Sequence, residues 1–213
     1  MKLHMGVWLP DGEQHMTAWM TKVGHLVDGR GTYQYSKLER AVAECTERRV
    51  AIDVGAHCGL WSMHFAKLFA RVIAFEPIPE HCDCFRRNVT GQYDLHQCCL
   101  GDDPGTIGLH YDPTNTGDTH AVVGDGYRLE AFDLIYPTLQ HVDLVKLDCE
   151  GFELFALRGM ALMLRRCQPV VLVEQKPNRA SKYGLRETEA VDWLQGLGAH
   201  RVWDKSGDYL LRW

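Results

Sequence analysis

An acid followed by two glycines four residues apart opens the most chemically suggestive stretch of the chain, Asp53-Val54-Gly55-Ala56-His57-Cys58-Gly59. It lies where an apolar run gives way to a helical pattern. Gly55 and Gly59 let the backbone turn tightly and let a ligand approach without Cβ interference. The Asp53 carboxylate there repels a pyrophosphate but suits a ligand carrying an ammonium and a sulfonium. The spacing lacks both the GxGxxG of dinucleotide binders and the GK[ST] of a phosphate loop. Glu76 ends the next apolar run, about twenty residues on, where an acid accepts hydrogen bonds from a ribose diol, and Pro77 and Pro79 stiffen its exit. Asp102, after Gly101, either accepts from an adenine amino group or belongs to a plain turn. Asp53, Gly55, His57, Gly59, Glu76, Pro77 and Asp102 thus outline an adenosyl site.

A second set of residues suits chemistry on a hydroxyl, whose proton needs a base or a metal-bound oxygen to leave. The run Leu144-Val145-Lys146-Leu147 delivers Asp148 to a strand end, with Glu150 and Glu153 following. Lys146 is a second acceptor-side candidate or a partner for a nearby carboxylate, and Glu153 also fits a helix N-terminal acid. Glu174 ends the next strand. Asp148, Glu174 and Gln175 offer oxygen ligands for a Mg²⁺ that would lower a hydroxyl's pKa; alternatively Glu174 hydrogen-bonds the acceptor directly. The polar stretch from Asp112 to His120 suits an insertion over the crevice, Asn115 reading acceptor hydroxyls and His120 serving as another base, or else a plain surface loop.

The elements that must position these residues alternate between strand and helix from residue 50 onward, which predicts a parallel sheet with helices on both faces. Strands are expected at 50–54, 71–75, 95–100, 142–147 and 170–173, with extra strands at 105–111 and 121–123. Helices are expected at 60–69, 79–88, 153–165 and 187–197, and a hairpin (200–203 and 209–213) closes the sheet. Residues 1–48 read as an accessory segment, with a strand at 3–9 and helices at 13–27 and 36–47, and residues 49–213 as the main domain. The accessory helices either cap the acceptor site or pair two copies of the chain.

At 213 residues, 46% hydrophobic and 24% charged, the chain fits one soluble domain. Its formal charge of -5 argues against a phosphate track for nucleic acid. Neither a membrane span nor a signal peptide is evident, so a cytoplasmic protein is expected. The eight cysteines read as reduced thiols. His81-Cys82-Asp83-Cys84 lacks the second half of a zinc site, and helical spacing splays its two thiols.

Three motifs in order, Ile52-Asp53-Val54-Gly55-Ala56-His57-Cys58-Gly59-Leu60-Trp61-Ser62, Ala74-Phe75-Glu76-Pro77-Ile78-Pro79 and Asp143-Leu144-Val145-Lys146-Leu147-Asp148-Cys149-Glu150-Gly151-Phe152-Glu153, resemble the FkbM family of methyltransferases. The resemblance spans residues 50–177. It implies a Rossmann-like class I methyltransferase fold, with a mostly parallel seven-stranded sheet and an antiparallel last strand. It also implies S-adenosylmethionine as donor and O-methylation of a sugar or polyketide-like hydroxyl. His57 replaces the family's usual Asn, and Glu174-Gln175 its usual Glu-x-His or Glu-x-Asn. Two rival readings remain: a nucleic-acid 2′-O-methyltransferase, with Asp148, Lys176 and either Lys22 or Lys37 in a Lys-Asp-Lys-Glu tetrad, and a binding module that kept the fold and lost catalysis.

Overall fold

The computed structural model describes all of residues 1–213. The N-terminal segment holds β1 (Lys2–His4), β2 (Val7–Leu9), α1 (His15–Val23), β3 (Leu26–Val27), β4 (Arg30–Gly31) and α2 (Tyr35–Ala43). The single strand expected at 3–9 is a hairpin, because Met5 and Gly6 both take positive φ and turn the chain back on itself. The first helix stops at Gly24, whose left-handed conformation caps it. The hairpin of β3 and β4 follows, where a longer helix was expected.

The main domain runs β5 (Val50–Val54), α3 (Ser62–Leu68), β6 (Arg71–Phe75), α4 (Pro79–Asn88), β7 (Tyr93–His96), β8 (Cys99–Leu100), β9 (Gly105–His110), β10 (His120–Glu130) and α5 (Phe132–Ile135). It continues through β11 (Leu144–Leu147), α6 (Glu153–Gly159), α7 (Ala161–Cys167), β12 (Val170–Glu174), α8 (Glu189–Gly196), β13 (His200–Lys205) and β14 (Asp208–Arg212). Seven strands form one sheet in the order β13-β14-β12-β11-β5-β6-β7, parallel except that β14 runs antiparallel to both neighbours. The expected third strand at 95–100 is divided: β7 joins this sheet, while β8 pairs with β10 in a separate sheet that also holds β9. The long helix expected at 153–165 is also divided. Gly159 packs so closely on Gly101 O that a Cβ there would sit 1.9 Å from it, and the chain restarts its helix after Met160.

The strands β5, β11 and β12 are buried throughout, as expected of parallel strands covered on both sides. Their side chains alternate between two cores. Val50, Ile52, Val54, Val145 and Val171 face α6, α7 and α8, whereas Ala51, Leu144 and Leu172 face α3, α4 and the N-terminal segment. Val7, Leu9, Met16, Met20 and Leu38 join that second core, so the accessory segment shares its hydrophobic interior with the sheet. The same pleat carries Asp53, Glu76, Lys146, Asp148 and Glu174 to this N-terminal-segment face, at the carboxyl ends of their strands. No helix is long and apolar enough to cross a membrane.

Candidate active site

A cavity of about 290 Å³ opens at the carboxyl edge of the sheet, where β5 and β11 part company in the winding. One end is walled by Gly55, His57, Glu76, Pro77, Cys99 and Leu100, and the other by Asn115, Asp118, His120, Asp148, Glu150 and Arg179. Lys146 and Trp61 lie on its floor, and His15, Met16 and Tyr33 bring the N-terminal segment to its rim.

The turn after β5 is built against β11. Gly55 has φ +74°, and a Cβ on it would lie 1.9 Å from Asp148 O, so only glycine allows this approach. His57 also has positive φ, which Asn and His tolerate better than most residues; the turn therefore accepts His in place of Asn. Gly59 is required by packing. It lies outside the cavity wall, and a Cβ there would collide with Phe85 and Val89 of the α4 region.

Asp53 departs from the expectation that it meets the ligand. It is fully buried below the turn and does not line the cavity. The parallel register sets Asp53 beside Lys146 of β11, and the Lys146 ammonium stands 3.1 Å from its Oδ1 while Ser62 Oγ donates to its Oδ2 at 2.7 Å. Lys146 also donates to Gly55 O at 2.8 Å, pinning the turn. Burial opposes the Lys146 charge, but Asp53 and then Asp148 outweigh it and hold the lysine protonated. Asp102 is exposed in the turn after β8 and does not line the cavity, in keeping with the plain-turn alternative.

Glu76 reaches the cavity, but its carboxylate is already engaged. Oε2 accepts from His57 N at 2.9 Å, and Oε1 accepts from Ile78 N at 2.9 Å and from His81 Nδ1 at 3.0 Å.

At the acceptor end, the nearest carboxyl oxygens of Asp148, Glu150 and Glu174 all lie within 4.8 Å of one another. Burial works to raise Asp148, yet Lys146, a hydrogen bond with Glu174, and Lys176 hold it below the ordinary carboxylate range. Burial and then the Asp148 charge push Glu174 up to about 9. The two strand-end acids therefore hold one proton between them at neutral pH, on Glu174. Glu174 stands behind the wall, paired with Lys176 at 2.5 Å, and Asp148 presents the ionised carboxylate to the cavity. Burial and Asp148 raise Glu150 to about 7, against the pull of Arg179 at 2.9 Å.

Gln175 is a correction to the expected metal ligands. Its amide faces the interior, accepting from Ala190 N and donating to Glu153, so it supplies no oxygen to the acid cluster. Glu150 occupies the third position. Glu153 accepts from Cys149 N and Gly151 N, fixing the loop that carries Asp148 and Glu150.

The stretch expected as an insertion lies over the cavity, clamped on two sides. Glu13, fully buried, accepts from Thr116 N at 2.8 Å and from Thr116 Oγ1, and Thr114 O accepts from Gln14 N and His15 N. Opposite, Arg179 pairs with Asp118, and Tyr183 Oη donates to Ala121 O. Asn115 and His120 line the cavity; His120 Nδ1 donates to Asp118 O, which leaves Nε2 as the acceptor. Sequence reasoning missed Glu13, Tyr33, His81 and Arg179 as site residues. Glu13 and Tyr33 come in with the remote N-terminal segment, whereas His81 sits one helical turn past Glu76, which it bonds at 3.0 Å, and Arg179 follows β12 closely.

The family model of the methyltransferase FkbM domain matches residues 53–201. A curated protein of Beauveria bassiana, Methyltransferase 1, is 26% identical over 152 residues, covering 56% of this chain and 61% of that protein. Methyltransferase sdnD of Sordaria araneosa is 27% identical over 163 residues, covering 56% and 63%. The chain therefore spans less than two thirds of the length of either. Among solved structures, the FkbM methyltransferase of Methylobacillus flagellatus KT superposes with a TM-score of 0.52 at 18% identity, over 78% of this chain and 44% of that one. The N-methyltransferase NodS of Bradyrhizobium japonicum WM9 gives 0.51 at 10% identity, over 84% and 92%. These likenesses match the seven-stranded sheet with its antiparallel β14 to the class I methyltransferase fold, and the chain belongs to the FkbM family of methyltransferases.

Proposed function

We propose that the chain transfers a methyl group from S-adenosylmethionine to a hydroxyl of a small, polyhydroxylated molecule such as a sugar. The residues present fit that donor: Gly55 leaves room where a Cβ would collide, and buried ring nitrogens of His57 and His81 on the same wall have no protein partner. When bound, it supplies a methyl group on a sulfonium, open to in-line displacement.

The observation that carries the acceptor assignment is the Asp148–Glu174 pair. Asp148 is ionised on the cavity wall, next to the turn that receives the donor, so it can take the proton of a hydroxyl held there. Glu174, protonated behind it, and Lys176 keep that carboxylate in place. Asn115, Asp118, His120 and Arg179 line the same end and offer donors and acceptors to further hydroxyls. The clamped insertion and N-terminal rim enclose this end, which favours a small acceptor over a polynucleotide.

A resident Mg²⁺ is not favoured by the donor set. Lys176 and Arg179 already pair with Glu174 and Glu150, one proton sits on Glu174, and Gln175 is turned away. A cation would have to displace both side chains. The test is methyl transfer from labelled S-adenosylmethionine to a panel of sugars and other polyols, with and without a chelator. Turnover that survives chelation and is lost in Asp148→Asn, with donor affinity retained, supports the reading. Near-normal turnover of Asp148→Asn refutes it.

A further inference from the structure

The strand-end acids of the sheet have a third member. Asp148 follows β11, Glu174 ends β12 and Asp208 opens β14, and the register sets Asp208 directly beside Glu174. Asp208 is 3% exposed, and its partner comes from the N-terminal segment: Lys37, in the first turn of α2, pairs with it at 2.5 Å. Lys37 itself does not line the cavity, and Lys22 is exposed on α1. Removing one partner of so deep a pair leaves the other charge buried and uncompensated, so the two stay together. The pair therefore fastens the start of α2 to the strand that flanks the acids.

What this fastening places is Tyr33. Lys37 N donates to Gln34 O at 3.0 Å, so Tyr33 leads directly into the anchored turn. Its ring packs edge-on against Trp19, with centroids 4.8 Å apart, which holds it from a second side. Tyr33 lines the cavity together with Asp148 and Lys176. Burial, and then the Asp148 charge, push the phenol up to about 12, so it keeps its proton and is a hydrogen-bond donor at neutral pH. The family model matches residues 53–201, so this donor enters the cavity from outside the matched region.

We propose that Tyr33 is a specificity-determining residue for the methyl acceptor, its phenol O–H donating to an oxygen beside the one that is methylated, and that the Lys37–Asp208 pair positions it. The proposal rests on the end of the cavity around Asp148 being the acceptor site. It narrows the acceptor to a molecule with a second oxygen next to the reacting hydroxyl, as in the vicinal hydroxyls of a sugar ring. It also gives the N-terminal segment a part in choosing the substrate.

The test compares wild type, Tyr33→Phe, Lys37→Met and Lys37→Arg. Methyl transfer from labelled S-adenosylmethionine is measured on the sugar panel and on monodeoxy analogues of the sugar that wild type methylates best, and S-adenosylhomocysteine affinity is measured by calorimetry. Loss of one hydrogen bond predicts that kcat/KM falls roughly tenfold in Tyr33→Phe, through KM, with S-adenosylhomocysteine affinity unchanged. One deoxy analogue should cost wild type a similar factor and cost Tyr33→Phe nothing further, since both changes remove the same interaction. Lys37→Met should reproduce the rise in KM and Lys37→Arg reverse it; a wild-type KM in Lys37→Met overturns the positioning role. Equal deoxy penalties in wild type and Tyr33→Phe overturn the proposal and leave the acceptor site standing. So does a Tyr33→Phe that loses S-adenosylhomocysteine affinity, which assigns the phenol to the donor. Tyr33→Phe keeps the ring against Trp19 and decides the matter should Lys37→Met fail to fold. A wild type that binds S-adenosylhomocysteine yet methylates no member of the panel overturns the acceptor reading and the proposal with it.

Discussion

Asp53→Asn offers the sharpest view of how this site is held together, because the side chain is an internal counter-charge instead of a ligand contact. The substitution keeps the shape of the side chain and its hydrogen bond from Ser62, but leaves the Lys146 ammonium without its first counter-ion. Lys146 is 7% exposed and Asp53 is fully buried, so water cannot substitute for the lost charge. Breaking one partner out of a buried pair costs about 3–5 kcal/mol. Asp148, the second source of stabilisation for Lys146, draws the expected cost towards the lower end. At about 2–4 °C per kcal/mol for a chain of this size, the melting temperature should fall by roughly 10 °C. The pH dependence has a definite sign. Losing Asp53 removes the largest support of the Lys146 charge against burial, so the folded-state pKa of Lys146 falls from its raised value. The folded variant therefore releases that proton at lower pH than the folded wild type and regains stability relative to it as pH rises through the lowered pKa. Adding Lys146→Met should recover much of the loss, since an apolar pair of similar size replaces the ions. Thermal melts of the ligand-free proteins across this pH range check all three statements. A variant that melts with wild type and shows the same pH slope, yet no longer binds cofactor, would refute the reasoning and return Asp53 to the ligand.

Two further perturbations follow from the same geometry. Glu174 has a folded pKa of about 9 against an ordinary 4.5, so between those values the folded chain binds the extra proton and wild-type stability falls as pH rises. Glu174→Gln, which mimics the protonated acid, should flatten that decline in denaturant titrations at several pH values; an unchanged slope would mean that the acids do not share a proton. Gly55→Ala forces a methyl group into Asp148 O and a side chain into positive φ. It should destabilise the fold by at least about 2 kcal/mol and displace the Asp148 loop, and a soluble variant with wild-type melting and turnover would contradict the close approach.

The sheet was legible in the sequence because its strands are short apolar runs bounded by glycine, proline or acids, and these boundaries set the strand ends. Glu76 and Asp148 followed directly, each being the residue after such a run. What could not be read was which way a buried acid turns. Asp53 is committed by its cross-strand neighbour Lys146, a pairing visible only once the parallel register is known. Asp102 points to solvent, Glu174 stands behind the cavity wall, and Gln175 serves the interior beside α8. The N-terminal segment was harder still. Its apolar stripe predicts burial, but Glu13 and Tyr33 become site residues only because the segment folds over the same face of the sheet as the strand-end acids.

A calorimetric titration of the purified, folded chain with S-adenosylhomocysteine, and separately with NAD and ATP, tests the assignment of the cavity head-on. Binding of the first alone, at one site per chain, is the predicted result. A folded sample free of copurified cofactor that binds none of the three, or that prefers a dinucleotide or nucleotide triphosphate, would contradict the assignment of the cavity and of the chemistry built on it.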